Sequence, residues 1–207
     1  MLSGKAIRKK LEEKSDDDRL VIWPLFDLSE QVEDGAASFD VRLGTRFASA
    51  KRRRLTHIDA YAEAAHQTSY VDEHYVPVGS EFVIHPRHFV LATTLEWVRL
   101  PRDLGAYVTG KSTLARMGLN IATAVGIHPC FAGTITLEMA NLADVPIRIQ
   151  VGQPIGQLFF HVVNDPPSEE EMDRTAFVGS KRPLVGRLTV GRIESFLGIV
   201  PPIADKT

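Results

Sequence analysis

The sequence predicts a mostly β fold built from many short strands, with only short helices. Three observations support this prediction. Apolar and polar residues alternate in several segments with the period of a half-buried strand. Gly, Pro, Asp and Asn separate those segments, and helical periodicity is scarce after the N-terminus. Such a pattern is typical of a β-sandwich or a jelly roll.

The clearest strand signal lies near residue 40, where Phe39, Val41 and Leu43 alternate with Asp40 and Arg42. The run from His85 to His88 breaks two apolar segments as a turn would. Further segments show the same period or a short apolar run: Phe82–Ile84, Phe89–Leu91, Val98–Leu100, Ile135–Glu138, Ile147–Val151 and Leu158–Phe160.

The two ends of the chain differ from this strand-rich middle. Ser3 can cap a short helix in which Ile7 and Leu11 share one face. From Glu169 to Arg182 the chain is polar and loses its periodicity, which indicates a tail or a lid that orders over a ligand. We therefore expect a β domain over residues 1–165 and a polar C-terminal lid and tail over residues 166–207.

The composition is that of one globular domain with tails, since 44% of the 207 residues are hydrophobic and 24% are charged. The net charge of −2 provides no general attraction for nucleic acid or for an anionic membrane. The basic run Lys51–Arg54 can grip phosphate, but a solvated loop is the simpler interpretation. Because Cys130 is the only cysteine and no membrane-length or signal-like apolar run occurs, we expect a soluble, cytoplasmic protein.

The segment Gly110–Leu119 stands apart from its surroundings. Gly110 permits a tight turn, Ser112 suits the N-cap of a short helix, and Gly118 can end that helix. Free N–H groups, two hydroxyls and the Lys111 ammonium would make the helix start an anion site. The earlier glycine of the NTPase phosphate loop is missing. Spacing alone leaves open an anion site or an ordinary surface turn.

Glu138 lies in an apolar strand, where period two places it on one face with Thr134 and Thr136. An exposed carboxylate on a polar face is the more common case. If the face lines a cleft, desolvation would raise the pKa of the carboxyl and suit it to general acid/base work. The glycine-rich loop before this strand holds His128 and Cys130, which are more often a local hydrogen-bonding residue and a small buried one.

Residues 2 to 161 resemble the dCTP deaminase family, within the trimeric dUTPase superfamily. The family motif Gly-Arg-Ser-Ser-Leu-Ala-Arg-x-Gly-Leu is similar to Gly110–Leu119. The family's Gly-x-Ile-x-Pro-Gly loop, followed by Gly-x-x-x-Leu-Glu, is similar to Gly126–Gly133 and Leu137–Glu138. Other segments also resemble the family: Gly35–Gly44, Thr94–Pro101, Asn141, Pro146, Gly152 and Gln157–Leu158.

The resemblance implies a distorted jelly roll or β-barrel of the dUTPase-like, β-clip type, assembled as a homotrimer with shared active sites. It also implies deamination of dCTP to dUTP with release of ammonia. Glu138 would activate a water at cytosine C4 and pass protons to the departing ammonia. Ser112 and the backbone carbonyl near Ala124 would hold the water and the amino group, while Arg116 would supply fixed positive charge.

The resemblance further implies how the rest of the nucleotide is held. Lys111, Ser112 and Thr113 would hold the phosphates, with Mg²⁺ bridging phosphate oxygens rather than sitting in a protein cage. His128 occupies the position that contacts the sugar 3′-hydroxyl. The remaining substrate-binding positions that we predict are Leu114, Ala115, Thr136, Leu137 and Phe177.

Three positions depart from the family pattern. Lys111 replaces an arginine, which keeps the charge but loses bidentate phosphate geometry. His128 replaces the aspartate that in dUTPases also activates the hydrolytic water, which argues against efficient dUTP hydrolysis. In the lid, Ala176–Ser180 stands where the family has a Lys-Tyr-x-Gly-Gln type of sequence; Phe177 keeps the ring, and Lys181 and Arg182 lie close enough to replace the lost polar partners.

The single cysteine bears on the chemistry. Zinc cytidine deaminases need a Cys-x-x-Cys pair, so deamination by this chain would have to be zinc-independent. Two alternatives stay open beside a dCTP deaminase: an enzyme that yields dUMP (a bifunctional deaminase–diphosphatase or a dUTPase), and a non-catalytic nucleotide-binding trimeric module. A nucleic-acid binder based on Lys51–Arg54 has the least support, and we expect no nucleic-acid or membrane partner.

Overall fold

The computed structural model describes residues 1–33, 35–50, 71–121 and 126–166. The chain divides into two compact units. The first comprises Met1–Ala50 and Asp72–Leu184, and it contains every described residue except one. The second comprises Lys51–Val71 and Val185–Thr207, of which only Val71 is described. The predicted boundary near residue 165 and the basic run Lys51–Arg54 remain predictions, since residues 167–207 and 51–70 lie outside the described ranges.

Within those ranges the fold is mostly β, as predicted. The helices are α1 (Gly4–Leu11), α2 (Leu28–Gln31) and α3 (Ser112–Arg116). The strands are β1 (Val21–Trp23), β2 (Phe39–Ala50), β3 (Val71–Tyr75), β4 (Glu81–Ile84), β5 (Phe89–Arg99), β6 (Leu104–Gly110), β7 (Leu119–Ile121), β8 (Gly126–Ile127), β9 (Ala132–Asn141), β10 (Ile147–Gln150) and β11 (Pro154–Val162).

Most strands join one large antiparallel sheet. Its order is β7-β9-β5-β2-β11-β6-β8, with β1 also paired to β5 and β3 also paired to β2. A second sheet consists of β10 and β4. The central strands β9, β5 and β2 are therefore neighbours, and β11 joins β2 to β6. This order brings strands that are far apart in the sequence into hydrogen-bonding distance.

The core follows the predicted alternation of apolar residues. Phe39, Val41 and Leu43 of β2 are fully buried, while Asp40 and Arg42 between them are half-buried. In β9, Leu137 and Met139 are also fully buried. Each apolar side chain removed from water stabilises the fold by about 1.5–3 kcal/mol. The burial pattern of both strands confirms the sequence prediction.

The N-terminal helix is also confirmed. The Ser3 hydroxyl accepts a hydrogen bond from the Ala6 N–H at 3.4 Å and caps α1. Ile7 is fully buried, and Leu11 packs against the same core cluster. The chain before α1 is tied to the large sheet, because the Leu2 N–H donates to the Phe160 carbonyl at 2.8 Å.

Strand β5 contains an irregularity that shapes both of its long neighbours. The register with β9 shifts between Thr93 and Trp97, so β5 carries extra residues there. Two side chains take over from the missing backbone ladder. The Thr94 hydroxyl accepts from the Ile135 N–H of β9 at 3.0 Å, and the Glu96 carboxylate accepts from the Arg42 N–H of β2 at 2.8 Å. We call residues 94–96 the β5 bulge.

Candidate functional site

The predicted anion-binding segment forms the end of β6 and the short helix α3. Gly110 is the last residue of β6, and Gly118, with φ of +94°, follows the helix end as predicted. The prediction that Ser112 caps the helix is wrong. Lys111 occupies the N-cap with an extended backbone and makes no side-chain cap, because Ser112 already has helical geometry.

Lys111 lies at the centre of a polar cluster that joins three strands. Its ammonium forms an ion pair with the carboxylate of Asp40, and its N–H donates to the Ile155 carbonyl at 3.1 Å. Asp40 also accepts from the Gln157 amide at 3.1 Å. The register explains this contact, because Gly156 of β11 lies between Gly110 of β6 and β2. The lysine is held in place and remains 30% exposed, so it can still meet an anion.

The side chains of α3 itself face outward. Ser112, Thr113, Ala115 and Arg116 are exposed, and Leu114 packs against the core. Within the part of the chain that the structure describes, the side chains of Ser112, Thr113 and Arg116 make no hydrogen bond or ion pair. A hydroxyl can donate and accept hydrogen bonds, and a guanidinium can donate several.

Glu138 lies on the face of β9 that the sequence predicts. Its carboxyl group is half-buried, like Thr134 and Thr136 on the same face. Leu137 is fully buried on the opposite face, so only its backbone is available to a substrate. The register places Glu138 opposite Leu91 of β5. A glutamate carboxylate can serve as a general acid or base where it reaches the proton of a bound substrate or water.

The two parts of the predicted site lie on neighbouring elements without touching through polar groups. Helix α3 leads directly into β7, and β7 pairs with β9 so that Ile121 lies opposite Met139. No hydrogen bond or ion pair among the described residues joins Ser112 or Arg116 to Glu138. One chain therefore brings these elements together through the pairing of β7 with β9.

The loop before β9 is described only in part. Ala124 lies outside the described residues, as do Phe177 and the lid segment Ala176–Ser180. His128 is exposed just after β8, and its carbonyl accepts from the Phe131 N–H at 3.2 Å. Burial raises the pKa of the Cys130 thiol, which makes the thiolate less accessible. Cys130 is thus better explained as a turn residue, and its φ of 63° places it in the left-handed region.

Sequence reasoning missed a buried carboxyl next to this site. Glu96 is fully enclosed, and it accepts from the Arg42 N–H and from the Gln31 side-chain amide at 3.2 Å. Burial is the main cause that raises its pKa from the ordinary 4.5 to about 7, against the opposing effect of these donors. A signal was present in the sequence, because period two from Val98 and Leu100 puts Glu96 on the buried face.

A cavity of about 320 Å³ lies elsewhere, between the acidic run Asp16–Asp18 and the residues Arg99, Arg102 and Cys130. It contains none of the predicted site residues, so this cavity does not coincide with the predicted site. Among the residues with a described position, no group of three or more His, Cys, Asp or Glu side chains is arranged to hold a metal ion. No helix in the described ranges is long and apolar enough to cross a membrane.

Comparison with known proteins adds independent observations. The profile of a family described as dCTP deaminase-like matches residues 1–163. A dCTP deaminase from Natronomonas pharaonis is 40% identical over 167 residues, which are 80% of this chain and 82% of that protein. A dUMP-forming dCTP deaminase from Dictyoglomus thermophilum is 34% identical over 193 residues, covering 92% and 95% of the two chains.

Among solved structures, the 2'-deoxycytidine 5'-triphosphate deaminase from Agrobacterium tumefaciens superimposes with a TM-score of 0.57 at 23% identity. The match covers 82% of this chain but 48% of that one, so this chain spans about half the length of the Agrobacterium protein. At this identity the similarity concerns the fold, and it confirms the predicted fold class.

Proposed function

The chain belongs to the dCTP deaminase-like family, and we propose that it converts dCTP and water to dUTP and ammonia. The observation that carries the proposal is the conjunction of two features in a family-matched fold. One is the Lys111–Arg116 segment at the end of β6; the other is Glu138 on the half-buried face of β9.

In the proposed reaction Glu138 acts as the proton shuttle. Its carboxylate takes a proton from a water molecule and delivers it to N3 of the cytosine while the resulting hydroxide adds to C4. The carboxylate then takes the proton of the new C4 hydroxyl and passes it to the amino group, so that the C4–N bond breaks, ammonia leaves and C4 becomes a carbonyl carbon. A positioned acid/base group of this kind contributes about 10²–10⁴-fold to the rate.

Residues of α3 would supply the polar contacts of the same site. The Ser112 hydroxyl, free of other partners in the described chain, would hold the attacking water or the amino group together with the Ala124 carbonyl. Arg116 would supply a fixed positive charge to the developing oxyanion, since preorganised charge is among the largest contributions to catalysis. Thr136, Leu137 and His128 would contact the nucleoside through side chain or backbone.

The phosphates would be bound at the start of α3 by Lys111, Ser112 and Thr113, with Leu114 and Ala115 contributing backbone and Phe177 packing over the nucleotide. Two hydroxyls and one ammonium suit phosphate oxygens and do not form a metal cage. This donor set fits a Mg²⁺ ion that is carried by the nucleotide. The ion would neutralise part of the phosphate charge when bound.

We propose that the active enzyme is a homotrimer in which a neighbouring subunit completes each site. In the described part of one chain no hydrogen bond or ion pair joins Arg116 to Glu138, and this supports the proposal. So does the surface beside α3, where Met117 and Leu142 are 60% and 70% exposed, and the Leu142 N–H donates to the Gly118 carbonyl. Large apolar side chains grouped at a polar site are typical of an interface.

A single cysteine further favours a reducing compartment such as the cytoplasm.

The proposal is tested by incubating the protein with dCTP and Mg²⁺ and resolving dUTP, dUMP and ammonia. We expect ammonia and dUTP in equal amounts. Glu138→Gln should lower the rate by about 10²–10⁴-fold because the amide cannot accept the proton. Glu81→Gln is a matched control, since Glu81 is 53% exposed on β4 and forms an ion pair with the exposed Arg148. The proposal would be refuted if the protein released no ammonia from any cytosine nucleotide.

A second candidate outcome is dUMP, because relatives such as that of Dictyoglomus thermophilum are named dUMP-forming. His128 in place of the aspartate opposes it. Equal yields of dUMP and pyrophosphate from dCTP would favour this alternative. A third candidate, nucleotide binding without turnover, predicts that Glu138→Gln leaves every measured property unchanged.

A further inference from the structure

The Glu96 carboxyl group is surrounded by donors. Its Oε2 accepts from the Arg42 N–H at 2.8 Å, and its Oε1 accepts from the Gln31 Nε2 at 3.2 Å. The orientation of the Gln31 amide is fixed, because its own oxygen accepts from the Phe26 N–H at 3.0 Å. Both carboxyl oxygens must therefore accept, and the ionised form of Glu96 fits these partners better than the protonated form does.

Among the described residues, the charges of Arg42 and Asp40 act on Glu96. The Arg42 guanidinium lies 3.9 Å from Oε1 and is shared with Glu30 of α2 at the same distance. Asp40 on β2 opposes ionisation, while the Arg42 charge favours it. Because complete burial disfavours the charge that the donors favour, the pKa of Glu96 rises to about 7. Both protonation states are thus populated near neutral pH.

Glu96 is connected to the phosphate-binding lysine through β2. The Gln31 amide that contacts Glu96 also donates to the Asp40 carbonyl at 3.4 Å. Glu96 and Gln31 therefore hold the backbone of β2 on both sides of residue 41. The Asp40 side chain, on this same stretch, holds the Lys111 ammonium.

We propose that Glu96 is a positioning residue that, while ionised, acts through Gln31 and Asp40 to hold Lys111 where it binds the substrate phosphates. The proposal rests on the proposed function, in which Lys111 contacts a nucleoside triphosphate. Protonation of Glu96 turns one acceptor into a donor that faces the Gln31 NH₂ group. The β2 segment then loses a hydrogen bond, Asp40 is held less firmly, and Lys111 loses its fixed orientation.

The experiment measures the Kd of dCTP and of deoxycytidine with Mg²⁺ at pH 6 and pH 8. It uses the wild type, Glu96→Gln, Gln31→Ala and the control Glu81→Gln. Deoxycytidine carries no phosphate, so it does not report on Lys111. Protonation of the dCTP phosphates changes the Kd equally for all four proteins, so the comparison among the proteins cancels this effect.

For the wild type we expect the Kd of dCTP to rise about fivefold from pH 8 to pH 6 beyond the change in Glu96→Gln, because about a tenth of Glu96 is ionised at pH 6 and the protonated form binds about tenfold more weakly. Glu96→Gln should bind dCTP about tenfold more weakly than the wild type at pH 8 and bind deoxycytidine as the wild type does. Gln31→Ala should also bind dCTP more weakly than the wild type at pH 8 and bind deoxycytidine as the wild type does. Glu81→Gln should follow the wild type.

Equal dCTP-to-deoxycytidine affinity ratios in the wild type, Glu96→Gln and Gln31→Ala would overturn the positioning role while leaving the proposed function intact. An equal change with pH in the wild type and Glu96→Gln would overturn it as well. If Glu96→Gln does not fold, the pH profile of Gln31→Ala decides. A wild-type protein that neither binds nor deaminates dCTP would overturn both proposals.

Discussion

The buried Glu96 carboxyl predicts that the stability of the protein decreases as the pH rises from mildly acidic to neutral. Its pKa is about 7 in the folded protein and 4.5 ordinarily, so between these values the folded state binds more protons than the unfolded chain does. Stability therefore falls with rising pH across this window, and the loss is complete above about pH 7. The difference in pKa corresponds to about 3 kcal/mol.

The assay is urea unfolding of the wild type and Glu96→Gln at intervals from pH 4.5 to pH 8, at one fixed protomer concentration, since oligomers gain stability by mass action. Glutamine does not titrate, so the other ionisable groups cancel when the two free energies of unfolding are subtracted. Between pH 4.5 and pH 8 we expect the free energy of unfolding of Glu96→Gln, relative to that of the wild type, to increase by about 3 kcal/mol. Any difference between the two proteins that does not depend on pH adds a constant to this change. Glu81→Gln should show no such gain, because Glu81 is exposed.

Parallel profiles for the wild type and Glu96→Gln would refute the reasoning. They would mean that the donors around Glu96 fully compensate its burial, so that no proton is taken up on folding. A gain of the opposite sign would mean that the donors outweigh burial and that the pKa of Glu96 is lowered.

Two further predictions concern the segment around α3. Gly118→Ala should lower the free energy of unfolding by about 1–3 kcal/mol, because φ is +94° and a Cβ would lie 2.8 Å from the Ala143 Cβ; urea denaturation measures this. Gly35→Ala is the control, since a Cβ there meets nothing within 4 Å, and an equal loss in both variants would contradict the argument. Lys111→Met should raise the KM for dCTP about tenfold or more, because a charge-assisted contact to phosphate is lost, and it should leave the KM for deoxycytidine unchanged. Both KM values are measured by ammonia release. Equal effects on the two substrates would show that Lys111 does not bind the phosphates.

Much of the fold could be predicted from local alternation. Phe39, Val41 and Leu43 are buried as the period requires, and Ser3 caps α1 as its residue type suggests. Helix α2 was missed although Asp27 accepts from the N–H groups of Ser29 and Glu30 and caps it. Four residues are too few for a hydrophobic period to show, so only the capping residue carries a signal.

The candidate site was predictable in part. The glycine that ends α3 and the strand face that Glu138 shares with Thr134 and Thr136 follow from residue type and period. The N-cap at Lys111 did not, because its extended backbone depends on the neighbouring strand β11 rather than on Ser112. The ion pair between Lys111 and Asp40 could not be predicted from the sequence either, because it depends on the order of strands β6, β11 and β2 in the sheet.

The β5 bulge has a consequence for how this sheet tolerates substitution. In a regular β-ladder any residue other than proline supplies the backbone N–H and carbonyl groups that bond to the neighbouring strands. The ladder itself therefore places little restriction on residue type. At residues 94–96 the side-chain hydroxyl of Thr94 and the carboxylate of Glu96 take the place of backbone hydrogen-bonding groups. The adjoining segment of β2 requires a glycine at position 44, because a Cβ there would lie 2.7 Å from the Thr93 and Thr94 carbonyl oxygens. A saturation-mutagenesis library should therefore tolerate fewer replacements at Thr94, Glu96 and Gly44 than at the apolar positions beside them. The centre of this sheet is specified by its polar residues.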